Sequence, residues 1–375
     1  MRTGLMAAMV LGTCLLSSRP LCAGLYNTAE PMEGPVATEL GAKPLGFSQF
    51  EDTLSTVMGI GVEPPLGSKQ SDSPQRKHYL ARRDELSALL RAGRITVQQR
   101  VDLSAYLIRL RQYEQAIQVL EPIAAQERQN FMLFANLATA HQLIGRLDRA
   151  IAYLQQVKDL WPKTWPDIAK EQLAWLRTVE KYHLELVKLR YRELAGASSG
   201  RAKHPEKLDD LFHEKGPVRF VAESGQYEAG KIAAAERAKL PADALAVVQQ
   251  LVLWFPDDTR LYWLLGELYN ANGDVGAATK IFDDCIGNVR RFSAADLRAH
   301  RLVVQETKPA DAGAIVDPAS VGIATPAGNS TTSSTLPDWL PDGRQLVVVG
   351  GIAFLVIVLL GYFQIRELRR RRRTG

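Results

Sequence analysis

From residue 78 onward, apolar side chains recur every three or four positions in short stretches punctuated by Gly, Asn or Pro. This is the spacing of amphipathic helices joined by tight turns. Residues 131–164 place Phe134, Leu137, Ala138 and His141 on a first helix and Gly145 at a turn. A second helix carries Leu147, Ala150, Leu154 and Val157, and Pro162 closes the unit. Residues 259–292 repeat the order, with Tyr262, Leu265, Gly266 and Tyr269, then Gly273, then Ala278, Phe282 and Cys285. Residues 97–130 give a fair copy in Leu103, Ser104, Leu107, Tyr113, Ala116, Leu120 and Ile123. The unit before residue 259 keeps only its second half, Ala244, Val248, Leu251 and Pro256; its first helix, within 230–240, is degenerate, and Pro241 stands at the turn.

These copies share a register. Ala116 and Ala150 are 34 residues apart, and so are Ala244 and Ala278. The chain therefore resembles the tetratricopeptide repeat family over 97–164 and 225–292, about a third of its length. The resemblance implies a mainly α fold, a TPR-type helical-hairpin solenoid whose concave face binds proteins. Small residues at Gly266 and Ala278 would let two helix backbones approach.

The solenoid is split by an insert at 165–224 that fits the period badly. Trp165, Trp175 and Leu176 begin it in helical fashion. Tyr182, Leu184, Leu186, Leu189 and Tyr191 then alternate with polar residues, and Val218, Phe220 and Ala222 alternate again. The pattern fits a small two-stranded β element and, equally, one long helix. Before the repeats, residues 24–75 form a Pro/Gly-rich arm, with Phe47–Met58 apolar enough to dock as a short helix, and 76–96 a lead-in helix. After them, Ser293 with Asp296 resembles a capping box opening a closing helix over 293–308, and 309–344 reads as a flexible linker.

The two ends predict a location. Residues 1–23 combine Arg2, an apolar run from Leu5 to Leu16 and small residues near Ala23, the order of a secretory signal peptide. Leu346 to Phe363 is 18 residues without a charge, roughly 27 Å of helix, within an expected transmembrane helix at 345–364. Arg366 and Arg369 to Arg373 follow it in a basic tail, 365–375, which belongs on the cytoplasmic side. Together these predict a single-pass protein whose repeats lie outside the cytoplasm, in a setting that suits a bacterial inner membrane.

Charge and cysteine content narrow the partner. The chain has 46 Lys+Arg and 41 Asp+Glu, but removing Arg2, Arg19 and the six tail arginines, with Glu367, leaves 38 against 40. The exported part is near neutral, and no basic stripe interleaved with aromatics marks it for nucleic acid. Two of the three cysteines fall in the signal, so only Cys285 would remain.

The chain carries no HExxH, CxxC or GxSxG motif. Gly61 to Lys69 is a poor phosphate loop because Pro64 and Pro65 interrupt it. His204, Asp209, Asp210 and His213 are spaced too widely for one metal-binding face. No enzymatic activity, cofactor or metal is expected. The resemblance instead places partner-binding residues on the first helix of each repeat: Gln98, Asp102 and Arg109; Asn136, Thr139 and Gln142; Arg260, Trp263, Glu267 and Asn270. Trp263 is the expected aromatic anchor. Val101 and Ala105 stand where chaperone-binding relatives would carry Lys and Asn, which disfavours that ligand. The sequence thus predicts a membrane-anchored scaffold or adaptor for a protein or extended peptide. The alternative is an envelope assembly or maturation factor that holds an unfolded exported client.

Overall fold

The computed structural model describes residues 26–27, 34–39, 41–64, 72–165, 168–197, 207–287, 292 and 294–307. The signal peptide, the linker, the 345–364 span and the basic tail all lie outside the described residues. Among the described residues no helix is long and apolar enough to cross a membrane. They form a mainly helical structure of twelve α-helices with one two-stranded sheet.

The arm supplies that sheet. Strands β1 (Val36–Thr38) and β2 (Gly41–Lys43) pair antiparallel with Ala37 opposite Ala42. Helix α1 (Phe47–Gly61) follows and buries Phe50, Leu54, Val57 and Ile60, a stripe at three- and four-residue spacing. The lead-in helix α2 (Pro74–Arg91) starts at Ser73, whose hydroxyl accepts from the Arg76 N–H at 3.1 Å, with Pro74 at the first helical position.

Three helical hairpins then appear where the sequence pattern placed them: α3 (Val97–Arg109) with α4 (Tyr113–Ala124), α5 (Phe131–Leu143) with α6 (Leu147–Leu160), and, after the insert, α10 (Thr259–Ala271) with α11 (Val275–Ile286). Each first helix is capped by a side chain: Thr96 in a full capping box with Gln99, then Asn130, then Asp258. In the last hairpin, a Cβ on Gly266 would lie 2.5 Å from the Phe282 ring and 3.0 Å from Ile281, so glycine is what lets α10 and α11 approach.

The insert is helical over its first half, which corrects the two-stranded expectation there. Helix α7 (Lys170–Ala197) is continuous for 28 residues. It packs on two sides, and this explains the misleading alternation. Tyr182 and Leu186, four apart, join the core of the second half, whereas Leu184 and Val187, three apart, join α6 around Leu154. Two helical stripes interleaved in sequence read as period two. Val218 and Ala222 are not in a strand either; Val221 O accepts from Ala233 N and Ala222 N donates to Gln226 O, both at 2.8 Å, in an irregular turn.

Beyond it come the four-residue α8 (Ala234–Arg237), which stands for the degenerate first helix, and the apolar α9 (Ala244–Trp254). Helix α12 (Ala295–Glu306) closes the described part, burying Leu297 and Val304. Its N-cap is Ala294, without a side-chain bond, and Ser293 of the expected capping box lies outside the described residues. The core divides into one cluster around α2–α5, another around α7 and α9–α12, and a smaller one where α6 meets α7; α1 gives Ile60 to the first and Phe50 and Leu54 to the second.

Candidate functional site

Side-chain amides on two first helices, α5 and α10, hold main chain, and that main chain belongs to this chain. On α5, Asn136 is fully buried; its Oδ1 accepts from the Tyr26 N–H at 2.8 Å and its Nδ2 donates to the Tyr26 carbonyl at 3.0 Å. The same Nδ2 lies 3.0 Å from Ser104 Oγ and 3.2 Å from the Val101 carbonyl, which fix the amide's orientation. The Tyr26 ring fills an aromatic box, stacked on Trp165 at 5.6 Å and edge-on to Phe131 at 5.2 Å and Trp161 at 6.3 Å. Its hydroxyl donates to Glu180 Oε1 at 2.6 Å. Burial, reinforced by the Glu180 charge, raises the phenol far above its ordinary pKa, so it remains a donor. Glu180 also meets His183 Nδ1 at 3.1 Å, and His183 Nε2 reaches Gln142 Oε1 at 2.5 Å, which ties a second expected site residue into the same network.

Three more carboxamides each accept from one main-chain N–H and donate to one main-chain carbonyl. Asn270 on α10 accepts from Gly230 N–H at 2.7 Å and donates to the Glu228 carbonyl at 3.1 Å, closing on a turn in which Gly230 has φ +72°. Gln249 on α9 accepts from Leu45 N–H at 2.8 Å and donates to the Leu45 carbonyl at 2.9 Å. Gln172 on α7 accepts from Ala37 N–H at 2.8 Å and donates to the Pro35 carbonyl at 3.4 Å. A planar amide presents one acceptor and two donors, so it satisfies both polar groups of an extended segment as a neighbouring strand would. Sequence reasoning missed Gln172 and Gln249. A signal existed for the latter, since Gln249 and Gln250 interrupt the otherwise apolar run of Ala244–Trp254.

The remaining site residues fall into two groups. Arg109, Gln142 and Arg260 line a cleft of about 390 Å³ between α1, α3, α5, α7 and the α9–α10 connection. Two further arginines line it, and each is paired: Arg111 with Asp257 at 2.8 Å, and Arg190 with Asp209 at 2.8 Å and Asp258 at 3.0 Å. Arg260 binds both oxygens of Glu193, at 2.7 and 3.0 Å, and Asp209 at 2.5 Å. Burial pushes the Asp209 carboxyl up to about 7, although Arg190 and Arg260 pull it the other way. Burial also opposes ionisation of Glu193, but the hydrogen bond and charge of Arg260 outweigh it and hold that carboxyl below the usual range. Of the four residues weighed as metal ligands, Asp209 is therefore committed to arginines, His213 Nδ1 meets the Asp210 carbonyl at 3.0 Å, and His204 lies outside the described residues.

The second group is core. Trp263, the expected anchor, is 1% exposed; its Nε1 donates to Glu267 Oε1 at 2.7 Å and its ring meets Phe292 at 6.0 Å. Glu267 is buried as well and is met by His300 Nδ1 from α12 at 2.7 Å, with Tyr227 stacked on the His300 ring at 3.6 Å. Thr139 and Asp102 are buried, and Gln98, half-buried on the rim of α3, donates to Asp102 Oδ1 at 3.0 Å. The closing helix thus covers Glu267 and the arm covers Asn136, two of the positions that the repeat pattern turns toward a partner.

Chemically, the arrangement can hold extended main chain by amide clamps and can present guanidinium groups in a partly enclosed cleft. Set against known proteins, the chain matches no family model, no curated protein and no solved structure. What defines its class is the architecture itself, a mainly helical protein built around helical hairpins.

Proposed function

We propose that this protein is a tetratricopeptide-type scaffold that holds an extended peptide segment of a protein partner, anchored to a membrane by residues 345–364 and exposing its repeats outside the cytoplasm. The observation that supports the reading is the pair of bonds from Asn136 to the Tyr26 main chain, with the ring of Tyr26 in its aromatic box. A groove that satisfies an extended backbone and seats one side chain has the two elements of peptide recognition, affinity from main-chain bonds and specificity from a pocket. The arm would then be a cis occupant that a partner segment replaces.

The test uses the full-length chain in detergent micelles, carrying Tyr26→Ala to empty the aromatic box. A fluorescent peptide of residues 24–30 should bind this variant and not the Tyr26→Ala, Asn136→Ala double variant. Failure of the peptide to bind the single variant at millimolar concentration would count against the groove as a peptide site. Protease accessibility on either side of 345–364, in sealed vesicles, tests the orientation: cleavage of the repeats from the cytoplasmic face would refute it.

A further inference from the structure

We infer that the central cleft is a binding site for a carboxylate borne on a short apolar stem, with Arg109 as its counter-charge. The inference goes beyond the peptide groove at Asn136 and does not rest on it.

Arg109 sits at the carboxyl end of α3 and is 8% exposed. Its Nη1 donates to the Leu253 carbonyl at 3.0 Å, which orients the guanidinium, while its Nε has no acceptor among the described residues. A buried guanidinium met by a neutral carbonyl is costly unless an anion also meets it. The neighbouring carboxylates do not serve, because each is held by another arginine: Asp257 by Arg111, Asp258 by Arg190, and Glu193 by Arg260. Among the described residues the cleft lining carries four arginines against three carboxylates. Asp209 behind them, shared between Arg190 and Arg260, brings the count level and leaves Arg109 as the arginine without a carboxylate.

The position of Arg109 selects the ligand. It is one cation that none of these carboxylates meets, which suits a monoanion, whereas a phosphate dianion would add a second negative charge to a lining that already holds Glu193, Asp257 and Asp258. Around Arg109 the walls are apolar, with Ile108, Leu143, Leu147 and Trp254 among the lining residues. At about 390 Å³ the cleft is near the lower end of ligand pockets, room for one amino-acid-sized group. Arginine suits the role because its planar fork can bind both oxygens of a carboxylate.

A backbone feature points to the same place. The turns after α3, α5 and α10 share one geometry: the residues at 111, 145 and 273 donate to carbonyls three before them at 2.9 Å. Two of these are Gly145 and Gly273, with φ of +78° and +87°. The third is Arg111 at φ +61°, the one non-glycine residue in the left-handed region among the described residues. Its side chain crosses Gly61, where a Cβ would lie 2.7 Å from Arg111 Nε, to reach Asp257. An unfavourable backbone conformation is thus retained at the cleft rim, where the side chain occupies Asp257 and leaves Arg109 unpaired.

The experiment is calorimetric titration of the full chain in detergent micelles with four probes: butyrate, an end-blocked glutamate tripeptide, its glutamine counterpart, and inorganic phosphate. The glutamate tripeptide should bind at least tenfold more tightly than the glutamine one, and phosphate should be weakest of the anions. Comparable binding of butyrate identifies a free small carboxylate as the ligand; binding of the tripeptide alone identifies a peptide-borne one. Arg109→Gln should lower the affinity at least tenfold and Arg109→Lys less. Leu194→Glu, at a partly exposed wall residue that can be exchanged without opening the core, should lower it several-fold. Equal affinity for the glutamate and glutamine peptides, tighter binding of phosphate, or unchanged affinity in folded Arg109→Gln would overturn the assignment. If Arg109→Gln does not fold, unchanged affinity in Leu194→Glu overturns it instead.

Discussion

Asn136 and Tyr26, 110 residues apart, are joined by two hydrogen bonds from the Asn136 side chain to the Tyr26 main chain, which close the arm onto α5. Removing the amide would strand a buried N–H and a buried carbonyl, each costing about 1–3 kcal/mol. Asn136→Ala should therefore destabilise the chain by about 2–6 kcal/mol, read from urea unfolding of the full-length protein. Tyr26→Phe should cost only about 1–2 kcal/mol, because it removes the bond to Glu180 and leaves the ring in its box. A loss below about 0.5 kcal/mol for Asn136→Ala would mean that the arm is held by its aromatic contacts alone.

A second consequence concerns the packing of α10 on α11. A methyl group added at Gly266 would fall 2.5 Å from the Phe282 ring, and Phe282 itself is fully buried with no room to withdraw. Gly266→Ala would gain helix propensity of roughly 1 kcal/mol, yet forcing the helices apart costs about 1–3 kcal/mol. Net destabilisation is expected, and Gly266→Ala combined with Phe282→Leu should recover part of it. A stabilised single variant in thermal unfolding would show that the hairpin relaxes at no cost.

Sequence pattern and structure agree where the chain's contacts are local. The hairpins were readable because their apolar positions and turn residues, such as Gly145 and Gly273, lie within one unit. Helix α7 was ambiguous because it serves two cores at once, and Tyr182 and Leu184 belong to different ones. The site was partly legible for the same kind of reason. Polar residues on the inner helix faces marked Asn136 and Asn270 as gripping residues, but what they hold lies 110 and about 40 residues away. No local signal announces such a distant main-chain partner. Trp263 was misplaced as a surface anchor because α12, which supplies His300 against its partner Glu267, comes after the repeats.

Arg111 gives a test of backbone strain at the cleft. Relief of its left-handed conformation is worth about 1–2 kcal/mol, while glycine there costs roughly 0.5–1 kcal/mol in added freedom of the unfolded chain. The half-exposed pair with Asp257 adds at most about 1 kcal/mol. Arg111→Gly should accordingly lie within about 1 kcal/mol of the parent in urea unfolding, whereas β-branched Arg111→Val should lose about 2 kcal/mol or more. If both variants unfold at the same midpoint, the conformation at this turn carries no measurable strain.

His141 sets the sign of one pH dependence. The ring is buried on α5 beside Tyr153, with Nε2 3.2 Å from Glu121 Oε1. Desolvation lowers its pKa, and the partly exposed Glu121 offsets only part of that. The folded protein therefore takes up this proton less readily than the unfolded chain. Above the unfolded value of about 6.5 both states are neutral and the group contributes nothing to the slope. As pH falls through that value the unfolded chain is protonated first, so stability declines until the folded ring also charges. Urea midpoints measured at pH 5, 6, 7 and 8 should fall toward pH 5 in the parent, and fall less steeply in His141→Gln. Superimposable profiles for the two proteins would remove His141 as a source of the acid sensitivity.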